Sequence, residues 1–351
     1  MYIVIAIIAF GLLIAVHELG HFTAAKLLHV RVNEFAIGMG PKILKKQGKE
    51  TLYSLRLLPF GGFCAMDEDE DPKDSRSFTA QRRWRRIVIL AAGGIANIFT
   101  AIIIIMVLVA GMDHFVGTTL TELADGFPDD GEQGLMVGDT ILSINGERLY
   151  YMEDFSFIMQ FAKGTHVDMV VRRGGEKIRL DNYNLEMREY MTDGTVRLRY
   201  GLTFNQIESS FFEWLKYSGY MTIDFVRIIR FSIAQLISGA AGVKDLAGPV
   251  AIVDAMNDIG RSSPSVGAAL ANIANFIAFI GVNIAIVNLL PIPAMDGGRI
   301  LFIFLTWAIE KIIRRRLDAK YEGYVHMTAM VLLMGFMVFI LINDVVRIIN
   351  G

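Results

Sequence analysis

Two histidines and a glutamate in one pentapeptide, His17-Glu-Leu-Gly-His21, are the residues whose types and spacing most directly indicate chemistry. On a helix, side chains four residues apart lie on the same face, so both imidazoles can reach one ion. Zinc binds neutral imidazole nitrogen at about 2.0–2.1 Å. Glu18 is then close enough to a zinc-activated water to take its proton. The pattern therefore predicts a zinc site with His17 and His21 as ligands and Glu18 as catalytic base.

The position of this pentapeptide inside an apolar run also favours a bound metal. The run extends from about Ile3 to Leu28, and it has neither a basic segment before it nor a small-residue cleavage site after it, so we expect it to remain as a membrane-spanning helix. An ionisable side chain inside a bilayer costs several kcal/mol unless it is paired. The alternative is that the three residues simply lie at the membrane interface, and their depth within the run argues against it.

A candidate third ligand, Asp296, lies far along the chain in the stretch Asn288-Leu-Leu-Pro-Ile-Pro-Ala-Met-Asp-Gly-Gly-Arg299. A catalytic zinc needs three protein ligands and one open position. The two prolines break the helix that precedes them, and the glycine pair allows a sharp turn. An aspartate at such a break again indicates a cation. Taken alone, the stretch could equally be a helix-ending turn in which Asp296 is a cap.

The composition indicates that part of the chain lies in a membrane. Of the 351 residues, 53% are hydrophobic, and they concentrate in four runs of membrane length, at about residues 3–28, 87–111, 266–290 and 327–349. A fifth run, about residues 211–239, is interrupted by charges and predicts an amphipathic interfacial helix. The net charge of −2 gives no indication of nucleic-acid binding, and a single cysteine, Cys64, excludes an intramolecular disulfide.

Basic residues predict the orientation of these runs, because cytoplasmic loops carry an excess of lysine and arginine. They concentrate between the first and second runs and between the third and fourth: Lys42, Lys45, Lys46, Lys49, Arg82, Arg83, Arg85, Arg86, Lys311, Arg314, Arg315 and Arg316. Four spans place both segments on the cytoplasmic side. The segment between the second and third spans would then face outward.

Two segments between the spans have the pattern of β-structure. Residues 118–203 show strand-like alternation, a Gly174–Gly175 turn and an Asn145–Gly146 hairpin signal, which predict a soluble β-rich domain. Residues 31–38 and 51–58 predict two strands joined by a turn-rich stretch, and the apolar, glycine-rich sequence that follows could dip toward the bilayer.

With HExxH in the first helix, NxxPxPxxDG in a late helix and a PDZ-like insertion, the chain resembles the site-2 protease family of intramembrane zinc metalloproteases, most closely its bacterial single-PDZ members. The resemblance covers nearly the whole chain in the same order. It implies a polytopic α-helical membrane protein with four transmembrane helices, a membrane-reentrant β-hairpin and one inserted PDZ-like α+β domain.

The resemblance also implies roles for individual residues. His17, His21 and Asp296 match the zinc ligands of the family, and Glu18 matches its catalytic glutamate. Those matching substrate-binding positions are Asn97, Asn283 and Asn288. Gly94 stands where the family usually has proline. Each asparagine could instead bond a neighbouring helix.

The implied segments follow one another without repeats. They are a first transmembrane helix (1–30), the reentrant hairpin (31–64), a cytoplasmic linker (65–86), a second transmembrane helix (87–112), the PDZ-like domain (118–203), an interfacial segment (208–262), a third transmembrane helix (264–300), a cytoplasmic loop (301–326) and a fourth transmembrane helix (327–349).

The implied function is hydrolysis, with Zn²⁺ as cofactor, of peptide bonds inside the transmembrane segments of single-span proteins in the bacterial plasma membrane. Trimmed anti-sigma factors and remnant signal peptides fit this substrate class, and the outward PDZ-like domain would bind a peptide strand or C-terminus and exclude untrimmed substrates. The alternatives are a non-catalytic zinc- and peptide-binding membrane scaffold, which would have no need of Glu18, and a transporter, which the few spans and the absence of an inverted repeat disfavour.

Overall fold

A computed structural model describes residues 2–66, 75–128, 131–162, 164–192, 195–240, 242, 248–314 and 320–350. The chain divides into two compact units. The first, here called the helical unit, comprises Met1–Leu108 and Phe225–Gly351, and the second, the sheet unit, comprises Val109–Asp224.

The helical unit is built mainly from long apolar helices. Its helices are α1 (Tyr2–Leu27), α2 (Arg83–Val109), the second half of α4 (Phe211–Ile237), α5 (Pro249–Ser262), α6 (Val266–Leu289), α7 (Asp296–Ile313) and α8 (Lys320–Asn350). Four of them contain segments long and apolar enough to cross a membrane: Tyr2–Leu27, Arg83–Val109, Val266–Leu289 and Gly323–Ile340. The prediction of four membrane-length helices is therefore confirmed.

The turn between α6 and α7 has local causes in the sequence. The helix α6 begins after Ser265, whose hydroxyl accepts a hydrogen bond from the backbone of Ala268, and it ends at Leu289, before the first proline of the Pro-Ile-Pro stretch. A Cβ on Gly297 or Gly298 would clash with backbone carbonyls of this turn. Glycine is therefore required where the chain folds back to start α7.

The prediction of a loop over residues 301–326 is wrong for much of its length. The helix α7 continues through Ile313, and α8 has already begun at Lys320. The prediction treated the segment between the third and fourth apolar runs as a loop, but strong helix formers and large apolar side chains continue from residue 301 to residue 313, which favours a helix there. Arg315 and Arg316 lie outside the described residues.

The predicted hairpin is longer and more folded than its sequence suggested. Its strands are β1 (Val32–Gln47) and β2 (Leu52–Met66), so the stretch expected to be a turn belongs largely to β1. Gly38 and Gly40 both have φ of +84°, which lets β1 bend and continue pairing. Residues 34–37 pair both with residues 52–55 and with residues 62–65, while residues 44–47 pair with 52–55. The segment 52–55 therefore has partners on both of its edges, and 62–66 forms an outer edge among the described residues.

The sheet unit contains a six-stranded sheet, a helix and a small separate hairpin. The sheet consists of β3 (His114–Leu123), β4 (Thr140–Ile144), β5 (Glu147–Arg148), β6 (His166–Arg173), β7 (Glu176–Asn184) and β10 (Leu202–Glu208). The strand order is β10-β3-β4-β6-β7, with β5 on β4 and antiparallel pairing throughout. The other elements are α3 (Met152–Phe161) and the hairpin β8 (Arg188–Thr192) and β9 (Thr195–Arg199).

Both turns predicted in this unit are confirmed. Asn145 and Gly146 have positive φ in the turn between β4 and β5, and Gly174 and Gly175 do so between β6 and β7. The helix α3 packs against the sheet, and the two share one apolar core that includes the buried side chains of Ile141, Phe155 and Met169. The sheet extends from residue 114 to residue 208, beyond the predicted 118–203 at both ends.

Candidate metal and catalytic site

The helix α1 presents His17 and His21 from one buried face. Each is only 6% exposed, and their rings meet edge to face with centroids 4.8 Å apart. Nδ1 of His21 donates a hydrogen bond to the carbonyl oxygen of Ile89 on α2, 2.8 Å away. Because this bond places the ring proton on Nδ1, Nε2 keeps its lone pair for a ligand.

The folded-back turn brings Asp296 to these two rings. Its Oδ2 lies 3.2 Å from Nε2 of His17 and 3.2 Å from Nε2 of His21, and the two Nε2 atoms are 3.1 Å apart. Three atoms that bind one zinc tetrahedrally at about 2.05 Å would be about 3.3 Å from one another. Among the described residues, this is the one group of three or more such side chains placed to hold a metal ion. The donor set and its spacing fit zinc.

The helix α2 packs closely against α1, and glycines at their contact leave space for an ion between the side chains. A Cβ on Gly93 would clash with Nε2 of His21 and would lie 2.8 Å from Nε2 of His17. Gly20 on α1 likewise permits the close approach of α2, because a Cβ there would lie 2.8 Å from the Cβ of Ala96. A side chain at residue 93 would therefore occupy the space next to the converging nitrogens.

Glu18 lies beside the cluster in a cavity of about 310 Å³. Its side chain is half-buried and lies against the hairpin, where a Cβ on Gly62 of β2 would be 3.2 Å from Cγ of Glu18. The cavity is lined by Ile14, His17, Glu18, His21, Phe63, Cys64, Met66, Leu90, Ile284, Asn288, Ala294, Met295, Asp296 and Arg299. A carboxylate next to a set of metal-binding atoms, in an accessible cavity, can accept a proton from a water that attacks a bound substrate.

Of the three predicted asparagines, the structure brings one to the cavity. Asn288 lines it, with its amide nitrogen 3.3 Å from Nε2 of His17. Asn97 on α2 is fully buried, and neither its amide oxygen nor its nitrogen has a partner among the described residues. Asn283 is half-buried on α6. Neither Asn97 nor Asn283 is among the residues that line the cavity.

Sequence reasoning did not single out several residues that shape the cavity. Phe63 and Met66 come from the outer edge of the hairpin sheet, and Arg299 comes from the first turn of α7. The Arg299 guanidinium lies 5.5 Å from the ring centre of Phe78. One signal was available for Arg299, since it follows Asp296 by three residues and helix geometry places both on one side. No local pattern indicated Phe63 or Met66.

Comparison with known proteins places these residues in a wider context. A sequence model of peptidase family M50 matches residues 5–336. A Clostridium acetobutylicum protein named "Putative zinc metalloprotease" is 36% identical over 354 residues, which cover 99% of this chain and 98% of the relative. A Clostridium perfringens protein of the same description is 35% identical over 351 residues, covering 99% of each chain. The Bacillus subtilis "Regulator of sigma-W protease RasP" is 27% identical over 428 residues, covering 97% of each chain.

Proposed function

Because this chain belongs to peptidase family M50 and is a zinc-dependent metalloprotease, we propose that it cleaves peptide bonds inside transmembrane segments of single-span membrane proteins. It is a multi-pass membrane protein with four helices of spanning length. One observation carries the proposal: the catalytic cluster lies on the inner face of α1, itself a membrane-length helix. A peptide bond that reaches Glu18 there must come from a segment within the bilayer.

His17, His21 and Asp296 are the proposed zinc ligands, through the three converging atoms described above. When bound, zinc supplies a Lewis acid that polarises the scissile carbonyl and makes an attacking water more acidic. The His21–Ile89 hydrogen bond orients one imidazole for this role.

Glu18 is the proposed general base and then general acid. It accepts the proton of the attacking water and delivers it to the leaving amine. Its side chain lies against Gly62 on the hairpin side of the cavity. A scaffold that only binds zinc and peptides would have no use for a carboxylate positioned in this way, so the cavity favours the enzyme.

The outer edge of the hairpin sheet is the proposed binding site for the unwound substrate. Unwinding a helix in lipid exposes backbone groups that need new partners, and an exposed strand edge supplies them. Leu52–Leu55 cannot serve, because both of its edges are occupied. Residues 62–66 have a free edge among the described residues and contribute Phe63, Cys64 and Met66 to the cavity.

We propose that Asn288, which lines the same cavity, donates to a substrate carbonyl. For Asn97 and Asn283, a substrate-binding role stays a prediction.

Cys64 offers a direct test of this binding edge, because it is the only cysteine of the chain and lines the cavity. With an added mild oxidant such as copper phenanthroline, which takes up the two electrons of the thiol pair, a substrate carrying one cysteine near its cleavage position should form a disulfide with Cys64 in the Glu18→Gln chain. Cys64→Ser is the matched control. Scanning the substrate cysteine should give alternate reactive positions, since a strand presents every second side chain to one face. Uniform reactivity, or none, would rule out strand addition at this edge.

Two further parts of the proposal concern the hairpin and the sheet unit. We infer that the hairpin re-enters the membrane, which fits its exposed apolar side chains at Ile43, Leu44 and Leu57. The sheet unit is proposed to be a PDZ-like domain outside the cytoplasm, because an antiparallel sheet packed on one helix can bind a peptide strand or C-terminus. Such a domain would favour substrates already trimmed by another protease. Substrates of this kind include cut anti-sigma factors and remnant signal peptides.

The proposed activity is tested with the full chain in lipid vesicles and a tagged single-span protein as substrate. Wild-type protein should release a fragment whose new terminus, read by mass spectrometry, lies inside the transmembrane segment. The Glu18→Gln protein should bind the substrate without releasing it. A cut confined to residues outside the membrane segment would contradict the proposal.

A further inference from the structure

A second cavity in the helical unit lies away from the catalytic cluster. It measures about 480 Å³ and lies between α4, α5 and α6. Phe225, Phe276 and Phe279 give it apolar walls, and Asn272 and Asn275 add amide groups on the α6 side. It shares no lining residue with the catalytic cavity. We call it the α6 groove.

Asn275 is the unusual member of this groove. It is the tenth residue of the 24-residue helix α6, which places it about 14 Å along a helix that rises about 1.5 Å per residue. That depth is near the middle of a membrane span. Its side chain is exposed, and its amide has no hydrogen-bond partner among the described residues. Asn272, one turn earlier, differs because it donates to the hydroxyl of Ser263 at 3.1 Å.

An amide at this depth requires a partner from outside the described chain. Leaving a polar group unpaired in an apolar medium costs a few kcal/mol, and lipid tails offer no hydrogen bond. Transmembrane helices meet this requirement for one another, because asparagine bonds polar groups across helix–helix contacts. An open groove with aromatic walls next to the amide could accommodate the apolar face of such a helix.

The same helix, α6, contributes residues to both the groove and the catalytic cavity. Helix periodicity places Asn272, Phe276, Phe279 and Asn283 in one stripe along α6. The same helix then contributes Ile284 and Asn288 to the catalytic cavity. A helix docked in the groove would therefore lie along the element that leads to the cluster.

We propose that the α6 groove is a docking site for the transmembrane helix of the substrate before that helix unwinds. This inference rests on the proposed function and adds an exosite to it. The helix it fits has an apolar face interrupted by a small or hydrogen-bonding residue, such as serine, threonine or glycine, opposite Asn275. The Asn275 amide donates to the hydroxyl of a serine or threonine, or to a backbone carbonyl that a small residue such as glycine leaves accessible.

The first test compares two substrates of the same cleavage sequence with Asn275→Leu protein in lipid vesicles. One substrate is a full transmembrane helix, and the other is a short peptide that has no helix to dock. We expect KM for the helix to rise about three- to tenfold, the range of one interhelical hydrogen bond, with kcat unchanged. Leu270→Ala, an exposed position on α6 outside the groove lining, is the matched control.

Each outcome of this comparison decides something different. A rise in KM confined to the helix substrate supports the groove. Equal effects on both substrates, or no effect on either, overturn it. Failure of the wild-type protein to cleave the helix substrate would instead count against the proposed protease function, so the two ideas fail separately.

A second test locates the bound helix directly. Photoreactive p-benzoylphenylalanine in place of Phe279 is introduced into the Glu18→Gln chain, which retains its substrate. Illumination should link residue 279 to the substrate helix, and an excess of unlabelled substrate should remove the product. A link to lipid alone, or to another segment or copy of this chain despite bound substrate, would overturn the proposal.

Discussion

The two units each bury a group of charged or titratable side chains, and the groups differ in how their hydrogen bonds are completed. In the sheet unit, the fully buried Asp139 accepts from Nε of Arg173 at 2.8 Å and from Nη2 at 2.7 Å. It also accepts from the backbone of Met136, and Arg173 donates further to the carbonyl of Glu132. The hydrogen bond to Asp139 raises the pKa of Arg173 above its ordinary value, so the guanidinium keeps its positive charge. Every charge there has its partner within the protein.

The cluster in the helical unit lacks such an internal partner. Two imidazole nitrogens and a carboxylate oxygen lie 3.1–3.2 Å from one another, and all three offer lone pairs. No described lysine or arginine forms an ion pair with Asp296. A structural ion pair satisfies its own charges, whereas this cluster is completed only by a cation or by extra protons. This is the difference we expect between a metal site and a buried salt bridge.

Removing one ligand should have the largest effect. We expect His21→Ala to lose bound zinc and to lower cleavage to background, because two ligands hold the ion far more weakly than three. Zinc content by mass spectrometry and cleavage in vesicles measure the two results. His166→Ala, a histidine exposed on the sheet unit, is the control and should retain both. Full zinc content in the His21→Ala protein would show that this cluster does not hold the ion.

Removing the base should separate metal binding from chemistry. We expect Glu18→Gln to keep zinc and to lower kcat by about 10²- to 10⁴-fold, the usual contribution of a positioned general base. Single-turnover cleavage of a bound substrate measures the chemical step. Glu122→Gln, an exposed carboxylate in the sheet unit, should leave kcat unchanged. Near-normal turnover in the Glu18→Gln protein would remove Glu18 from its proposed role.

Breaking the internal ion pair should act on stability alone. We expect Arg173→Ala to destabilise the sheet unit by about 3 kcal/mol, because Asp139 is left buried without its cation. Denaturant unfolding of the full chain, followed by a probe in the sheet unit, gives the size of the change. Zinc content should be that of the wild type. Loss of zinc with this substitution would show that the two groups are not independent.

A smaller effect should follow from filling the space beside the cluster. We expect Gly93→Ala to weaken zinc binding by about 10- to 100-fold, the usual result when the support of a metal ligand is disturbed, since the added methyl group would clash with Nε2 of His21. Competition with a chelator gives the affinity. Gly111→Ala is the matched control, because a Cβ there meets nothing within 4 Å. Unchanged affinity would show that α2 does not shape the site.

The parts of the molecule that were predictable are those fixed by local geometry or by the membrane. The spacing of His17 and His21 needs only a helix to become a shared face, and long apolar runs predicted the four membrane-length helices. Asp296 lies 279 residues from His17, so its place beside the histidines came from the family resemblance and from the cost of a carboxylate in lipid.

The parts that were not predictable depend on tertiary packing. Which edge of the hairpin is free depends on how β1 and β2 fold onto each other, and no local pattern indicated that residues 62–66 form the outer edge. Asn97 and Asn288 look equivalent as polar residues in apolar helices, yet one is fully buried and the other lines the cavity. The segment between the third and fourth apolar runs was expected to be a loop, but α7 continues through it to Ile313, because spans predicted from apolar runs do not show where a helix without a spanning run lies.

The coordination of zinc in the full-length protein tests the central claim most directly. X-ray absorption at the zinc edge should show one ion with two imidazoles and a carboxylate oxygen at about 2.0–2.1 Å, and Asp296→Ala should abolish it. The alternative ligand in the same cavity is Cys64, which would add a sulfur at about 2.3 Å. A sulfur neighbour, or a coordination shell unchanged by Asp296→Ala, would contradict the proposed site.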